Sequence, residues 1–241
     1  MKNILTLIAC YITSLAHANI ILHNINILQK YSKKLIIINK SGKFKDYITS
    51  KVSCEWHDIK NDNFLDIGSY YYGLQQINYK EYDYVLLTND SFYLNRDIPD
   101  FFEMVSKNNS LLYGMTNSYQ NKFHIMSFFR LFPSKHIPIF IKYFQKYSKL
   151  PMNTDPYHWL IYIFEIGFCN DLNLSNTKSL YCVSLDKRRK KKHLITNNVF
   201  YNFYMEYLNN GYPIIKLKNI HALKEFILEN NIKLLLPLIK N

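Results

Sequence analysis

The polar triplet Asn89-Asp90-Ser91 has the clearest capacity for chemistry in this sequence. It directly follows residues 84–88, whose continuous apolar, β-branched and aromatic character predicts a strand buried on both faces. A carboxylate there can hold a divalent cation on a diphosphate or accept hydrogen bonds from sugar hydroxyls, and Asn and Ser add neutral hydrogen-bonding groups. The same residue types favour turns and helix caps, so the triplet alone leaves both interpretations open.

A second cluster comprises Asp66, Gly68 and Tyr70, at the predicted start of a helix over residues 69–77. An acidic residue, a permissive glycine and a helix start together suit a contact with a phosphate or a ribose. The alternative is that Asp66 or Ser69 simply caps the helix.

Two more clusters follow further along the chain. Thr116 and Asn117 come after a predicted strand over residues 111–115, so we expect them to face the same crevice as Asp90. His124 and Ser127 lie at the start of a predicted apolar strand around residues 125–132. A neutral imidazole can act as a base, although a lone histidine is more often structural.

The elements that must position these residues alternate along the chain. Strands are predicted over residues 3–10, 35–39, 84–88, 111–115, 125–132 and 214–217, and helices over residues 14–30, 69–77, 98–107, 138–147, 157–166 and 199–209. This order predicts an α/β fold, a mostly parallel sheet with flanking helices, in which ligands bind beyond the carboxyl ends of the strands. We expect one domain over residues 1–221 and a helical tail, residues 222–241, packed on it.

The amino-terminal segment has two interpretations. Residues 1–18 imitate a secretory leader, with Lys2, an apolar run and a small-x-small motif at Ala16-His17-Ala18. A buried first strand over residues 3–10 is favoured, because removal of the segment would deprive the strand at residues 35–39 of its partner. This interpretation predicts a cytoplasmic protein.

The chain carries 30 Lys and Arg against 18 Asp and Glu, a formal net charge of +12. Such a surface attracts polyanions, including nucleic acid, anionic lipid and phosphorylated small molecules. The only concentrated basic run, residues 187–192, is read either as a solvated loop or as a contact with the inner membrane surface. No nucleic-acid-binding module accompanies it, and we predict no nucleic-acid partner. The four cysteines lack CxxC spacing, which argues against structural zinc.

Five short segments between residues 60 and 220 resemble, in this order, motifs of the rhamnan synthesis protein F family of glycosyltransferases. They are Asp66-Ile67-Gly68-Ser69-Tyr70 with Gly73-Leu74, the strand ending in Asn89-Asp90-Ser91, Gly114-Met115-Thr116-Asn117-Ser118, His124-Ile125-Met126-Ser127-Phe128-Phe129, and Gly211-Tyr212-Pro213-Ile214-Ile215-Lys216. Three positions depart from the family's pattern: Asn117 replaces an acidic residue, Phe128 a tyrosine and Ile214 a phenylalanine.

The resemblance implies a GT-A/Rossmann-like nucleotide-sugar-binding domain that transfers a sugar, such as rhamnose, from a nucleotide-diphosphate donor to a growing cell-surface polysaccharide or lipid-linked glycan. On this hypothesis Asp90 and His124 are the catalytic candidates, and Asp90 would hold Mg²⁺ or Mn²⁺ if a metal is used. The donor-binding candidates are Asp66, Gly68, Tyr70, Asn89, Ser91, Thr116 and Asn117, and the candidates for acceptor or phosphate contacts are Ser127 and Lys216.

Two other functions are compatible with the sequence. A nucleotidyl- or phosphotransferase could use the same crevice, although no P-loop or glycine-rich dinucleotide fingerprint is present. A non-catalytic basic protein that binds nucleic acid or anionic membrane would explain the charge, but the dispersed distribution of that charge and the apolar α/β pattern disfavour it.

Overall fold

The computed structural model describes residues 3–62, 64–118, 122–150, 155–171, 176–181 and 204–239. The strands are β1 (Ile4–Cys10), β2 (Lys34–Asn39), β3 (Glu55–Asp58), β4 (Tyr84–Asn89), β5 (Phe92–Leu94), β6 (Leu112–Ser118), β7 (His124–Ile125), β8 (Phe129–Pro133), β9 (Thr177–Tyr181) and β10 (Ile214–Lys216). The helices are α1 (Leu15–Leu28), α2 (Lys45–Thr49), α3 (Leu65–Gln76), α4 (Pro99–Lys107), α5 (Ile137–Tyr147), α6 (Pro156–Trp159), α7 (Phe168–Asp171), α8 (Tyr204–Asn209), α9 (Lys224–Glu229) and α10 (Leu236–Ile239), and a π-helical segment, Leu160–Gly167, joins α6 to α7.

Eight strands form one sheet in the order β3-β2-β1-β4-β8-β6-β7, with β9 also paired to β6. Strand β1 pairs in parallel with β2 and with β4, and β2 pairs in parallel with β3. Strand β8 runs antiparallel to both β4 and β6, whereas β6 and β9 are parallel. The predicted α/β class, a mostly parallel sheet with flanking helices, is confirmed.

The sheet separates two hydrophobic cores, because alternate residues of a strand point to opposite faces. Ile4 and Ile8 of β1 belong to the core beneath α1 and α4, while Leu5 and Leu7 belong to the core beneath α3 and α5. The first core also contains Phe226, Ile227 and Leu235 of the carboxyl-terminal residues.

The strand interpretation of the amino-terminal segment is confirmed. Residues 4–10 are all buried, and β1 occupies the middle of the sheet between β2 and β4. Ser14 then caps α1, since its side chain accepts a hydrogen bond from the His17 N–H.

Several predicted boundaries were wrong. Helix α3 begins at Leu65, so Asp66 lies in its first turn, and neither Asp66 nor Ser69 caps the helix, whose N-cap position is Phe64. Strand β6 extends to Ser118, because its last residues pair with β7 and Thr116 pairs with Tyr181 of β9. Thr116 and Asn117 therefore lie within this strand and not after it.

Two predicted strands also differ in arrangement. The strand expected around residues 125–132 is two strands, β7 and β8, separated by a turn, and β8 is antiparallel to its neighbours. The strand expected at residues 214–217 lies outside the main sheet: it is β10, which forms a two-stranded antiparallel ribbon with β5. Of the helix predicted over residues 199–209, the described part, residues 204–209, is helical, whereas the basic run at residues 187–192 lies outside the described residues.

Among the described residues, no helix combines the length and apolar character needed to cross a bilayer.

Candidate functional site

The crevice between the carboxyl ends of β1 and β4 is the switch point of the sheet. From β1 the chain passes through α1 to β2 on one side, and through α3 it enters β4 on the other side of β1. Ligands of open α/β sheets bind at such a point. Here the Tyr11 N–H, just after β1, donates to Asp90 Oδ2, just after β4, at 2.6 Å.

Asp90 is also held by the first turn of α1. His17 Nε2 lies 3.2 Å from the Asp90 carbonyl oxygen and 3.4 Å from Asp90 Oδ2. Burial raises the pKa of the Asp90 carboxyl, and the His17 charge and the Tyr11 N–H oppose that increase. The structure thus fixes the carboxylate from both sides at the crevice.

A hydrogen-bonded chain crosses the site from Asp66 to Lys216. Asn89 Nδ2 donates to Asp66 Oδ2 at 2.5 Å, and Asn89 Oδ1 accepts from the Ser91 hydroxyl at 2.6 Å. The Ser91 hydroxyl in turn accepts from Lys216 Nζ at 2.6 Å. A carboxyl group and an ammonium group are therefore connected through two neutral side chains. Four predicted site residues, Asp66, Asn89, Ser91 and Lys216, come together in this chain.

The ribbon of β5 and β10 brings Lys216 to Ser91 across 125 residues of sequence. Lys216 pairs with Phe92 in the ribbon, and the Leu217 N–H donates to the Ser91 carbonyl at 3.0 Å. Gly211, which precedes the ribbon, has a φ of +86°, and a Cβ there would lie 2.7 Å from the Arg96 guanidinium, so the turn requires glycine. The Lys216 ammonium also lies 4.1 Å from the centre of the Phe128 ring.

Burial favours the neutral forms of the two groups at the ends of this chain, the Asp66 carboxyl and the Lys216 amine. Desolvation raises the pKa of Asp66 to about 6, with a further increase from Asp90, while Asn89, Lys216 and Lys40 oppose it. Desolvation lowers the pKa of Lys216 to about 8. A buried ammonium near two carboxyl groups can compensate the charge of an incoming phosphate where water is scarce.

Lys40 follows β2 and holds the start of α3. Its ammonium donates to Asp62 Oδ1 at 2.7 Å and to the Leu65 carbonyl at 2.6 Å. Gly68 is packed against the same place, since a Cβ at Gly68 would lie 2.9 Å from the Asp62 carboxylate. These contacts orient the first turn of α3 so that Asp66 points at Asn89.

A second group of polar residues centres on Glu165, in the π-helical segment. The Ser127 hydroxyl donates to Glu165 Oε2 at 3.0 Å, and His124 Nε2 lies 3.8 Å from Glu165 Oε1. The other imidazole nitrogen of His124 donates to the Lys122 carbonyl at 2.8 Å, and burial lowers the pKa of His124. Sequence reasoning named Ser127 and His124 but missed Glu165.

Three predicted donor-binding residues, Tyr70, Thr116 and Asn117, are buried and do not belong to the hydrogen-bonded chain. The Tyr70 ring is in the core beneath α3, and its hydroxyl is buried without a hydrogen-bond partner. The Thr116 hydroxyl donates to the Tyr181 carbonyl of β9 at 3.0 Å, and Asn117 is buried in β6 beside β7. Their roles in donor binding remain predictions.

The described side chains of the site could bind a divalent cation only if substrate phosphates completed its coordination. The described residues contain no group of three His, Cys, Asp or Glu side chains that could surround a metal ion. Mg²⁺, however, is commonly bound through one or two carboxylates together with substrate phosphates. Asp90, just after β4, could serve as such a carboxylate.

Three further residues of the crevice were missed by sequence reasoning, although each carried a signal. Tyr11 and Lys40 directly follow β1 and β2, the positions at which an α/β sheet presents ligand contacts. His17 was read as part of the leader-like motif. Glu165 is the only charged residue in the apolar run of residues 160–168, and that isolation was its signal.

No family model matches the chain, and no curated protein matches it. Among solved structures, it is similar to a 4-diphosphocytidyl-2C-methyl-D-erythritol synthase from Anaerococcus prevotii, with a TM-score of 0.46, 12% identity and coverage of 85% of this chain and 99% of that one. A putative nucleotide-diphospho-sugar transferase from Desulfovibrio desulfuricans has a TM-score of 0.45, 12% identity and coverage of 87% and 96%.

A galactosyltransferase, LgtC, in complex with donor and acceptor sugar analogues, has a TM-score of 0.40, 11% identity and coverage of 68% of this chain and 71% of that one. All three similarities concern the path of the chain.

Proposed function

We propose that this protein is a glycosyltransferase that uses a nucleotide-diphosphate sugar. The observation that carries the proposal is the hydrogen-bonded chain from Asp66 through Asn89 and Ser91 to Lys216 at the switch point of the sheet. It offers a carboxyl group for ribose or sugar hydroxyls at one end and a buried ammonium for phosphate oxygens at the other.

The crevice can accept the three parts of such a donor. The Tyr11 side chain is 51% exposed beside Asp90 and provides a face on which a base can stack. Asp66 and Asn89 are placed to bind the ribose, and Ser91 and Lys216 to bind the diphosphate. Each of these five residues is thereby assigned to the base, the ribose or the diphosphate of the donor.

Lys216 would assist the transfer itself by stabilising the negative charge that develops on the departing diphosphate. Its ammonium is fixed by Ser91 and the Phe128 ring, so no reorganisation is needed when the charge appears. A divalent cation bound at Asp90, when present, would supply further stabilisation of the leaving group.

The finer assignments depend on the resemblance of the five motifs to rhamnan synthesis protein F. On this basis the site is GT-A-like and the donor carries a deoxyhexose such as rhamnose. The acceptor is a cell-surface polysaccharide or a lipid-linked glycan, and the enzyme acts at the inner membrane surface. Three of these motifs, the segments of Asp66, of Asn89-Asp90-Ser91 and of Lys216, meet in the hydrogen-bonded chain, which is consistent with the resemblance.

Thermal unfolding of the purified protein with nucleoside diphosphates and their sugars, with and without Mg²⁺ or Mn²⁺, tests the proposal. A ligand at about 100 times its Kd adds about 2.7 kcal/mol to the free energy of unfolding. We expect one base to give a clear increase in Tm, and we expect Asp90→Ala and Lys216→Met to abolish it.

Lys224→Met is the matched control, because Lys224 is an exposed lysine of α9. Its Tm increase with the nucleotide should equal that of the wild type. No response to any nucleoside diphosphate or its sugar would refute the proposal. A response to nucleoside triphosphates with release of pyrophosphate would identify a nucleotidyltransferase instead.

A further inference from the structure

We infer that Glu165 is the catalytic base of the transfer, the group that removes the proton from the acceptor hydroxyl, and that Ser127 positions it. The inference rests on the proposed function and adds a catalytic residue to it. The alternatives raised by the sequence, Asp90 and His124, are both engaged in other contacts.

The carboxylate of Glu165 is held at one oxygen by a hydrogen bond. The Ser127 hydroxyl donates to Oε2 at 3.0 Å, and the imidazole of His124 lies 3.8 Å from Oε1. His124 is itself 3% exposed and fixed through Nδ1 to the Lys122 carbonyl, so it is poorly placed to reach an acceptor. The Glu165 side chain is 12% exposed, so part of it is accessible to solvent.

The backbone around Glu165 is fixed by a buried arginine. Arg130 of β8 donates to the carbonyl oxygens of Phe164, at 2.8 Å, and Glu165, at 3.0 Å, and it also binds the Ile125 carbonyl. Glu165 lies inside the π-helical segment Leu160–Gly167, and such departures from α-helical hydrogen bonding occur frequently at functional sites. The guanidinium supplies donors to carbonyls in this irregular segment.

Glu165 is linked to the neighbourhood of Lys216 through two adjacent residues, since Ser127 contacts Glu165 and Phe128 contacts the Lys216 ammonium. Among the charged groups that act on the pKa of Lys216, Glu165 has the largest effect, ahead of Asp66 and Asp90, and it acts on Lys218 as well. Phe128, which contacts the Lys216 ammonium, is the residue next to Ser127. A base at Glu165 would therefore act on an acceptor close to the leaving group at Lys216.

The proposed step is a direct displacement. The acceptor oxygen forms a bond to the anomeric carbon while its proton passes to a Glu165 carboxylate oxygen. The bond between the anomeric carbon and the diphosphate oxygen breaks, and the diphosphate leaves with the electron pair beside Lys216. No oxidant or reductant is required, and the anomeric configuration is inverted.

The test separates donor binding from turnover in Glu165→Gln. Binding and nucleoside-diphosphate release are measured with UDP-glucose, GDP-mannose and dTDP-rhamnose, using p-nitrophenyl glycosides and water as acceptors. We expect the variant to bind the donor used by the wild type with a Kd within about 3-fold, and to lose at least about 100-fold in kcat, because general-base catalysis contributes 10²–10⁴-fold.

Glu103→Gln, in an exposed glutamate of α4, is the matched control and should leave both quantities unchanged. Ser127→Ala keeps the carboxylate and removes its hydrogen bond, so it guards against a folding defect in Glu165→Gln. We expect its kcat to fall at least about 10-fold with little change in donor Kd, the loss typical of one hydrogen bond to a charged group.

The outcomes distinguish the inference from the function on which it rests. A wild type that turns over a donor, with Glu165→Gln within about 3-fold of its kcat, would overturn the role of Glu165 and leave the proposed function standing. Equal losses of donor binding and turnover in Glu165→Gln would assign Glu165 to the donor pocket and also overturn the inference. A wild type without binding or turnover for any donor would overturn both.

Discussion

Asp66 connects the pH dependence of stability to the candidate site. Burial raises its pKa from 3.8 to about 6, so between these values the folded state binds more protons than the unfolded state. The contribution of Asp66 to the free energy of unfolding therefore decreases as the pH rises through that interval. A carboxylate kept unfavourably charged at neutral pH is expected where a site binds a ligand and not where it serves stability alone.

Asp66→Asn should remove that penalty. Relative to the wild type, the variant should gain little stability near pH 4 and about 1–2 kcal/mol above pH 6, less than the full shift because Asp66 is partly exposed. Urea unfolding at several pH values measures the difference, in which the titration of other groups cancels. A difference that does not change with pH, or one that decreases as the pH rises, would contradict the burial of a charged carboxyl at this position.

At the scale of the element, Arg130 of β8 binds the backbone of the segment from α6 to α7. Arg130 is 3% exposed and donates to carbonyl oxygens of Ile125, Phe164 and Glu165. Removing a buried donor leaves these acceptors without compensation, which costs about 1–3 kcal/mol for each unsatisfied group. The sheet and the π-helical segment are thereby coupled through a charged group in the interior.

Arg130→Met should therefore lower the free energy of unfolding by about 3 kcal/mol, in the range for loss of a buried network. Arg96→Met is the comparison, since Arg96 is exposed and donates to the Tyr181 hydroxyl at 2.9 Å, and it should cost less than about 1 kcal/mol. Both values come from urea unfolding monitored by circular dichroism. Equal decreases in the free energy of unfolding of the two variants would show that the buried guanidinium of Arg130 does not couple the sheet to the π-helical segment.

At the scale of the whole molecule, the net charge of +12 concerns association and not the fold. Anionic lipid attracts basic residues near a membrane surface with about 1 kcal/mol per residue. The basic run at residues 187–192 is the strongest candidate for such a contact, and its place relative to the crevice lies outside the described residues. A lipid-linked acceptor would require the site to work close to that surface.

We predict that the full chain binds vesicles of phosphatidylcholine and phosphatidylglycerol at low salt and dissociates as salt is raised. Replacing the six basic residues at 187–192 by glutamine should reduce vesicle binding at least about 10-fold, because a single basic contact contributes about 1 kcal/mol. Sedimentation with vesicles measures the bound fraction, and vesicles of phosphatidylcholine alone are the control. Unchanged binding of the glutamine variant would assign the interaction to the dispersed charge.

The local sequence determined three strands of the main sheet and the location of the crevice. Continuous apolar runs fixed β1, β2 and β4, because only residues buried on both faces of a parallel sheet form such runs without polar alternation. Asn89-Asp90-Ser91 was placed correctly for the same reason, since a polar triplet directly after a central strand must lie at the edge of the sheet.

Only the tertiary structure decided how the site is assembled. Lys216 reaches Ser91 because β10 pairs with β5, and Glu165 reaches Ser127 because Arg130 anchors the π-helical segment to β8. Neither pairing leaves a local pattern: an isolated three-residue strand and one carboxylate in an apolar run are compatible with many partners. Such long-range contacts depend on how the whole chain packs when its apolar residues are buried. Residue types and their local spacing do not contain that information.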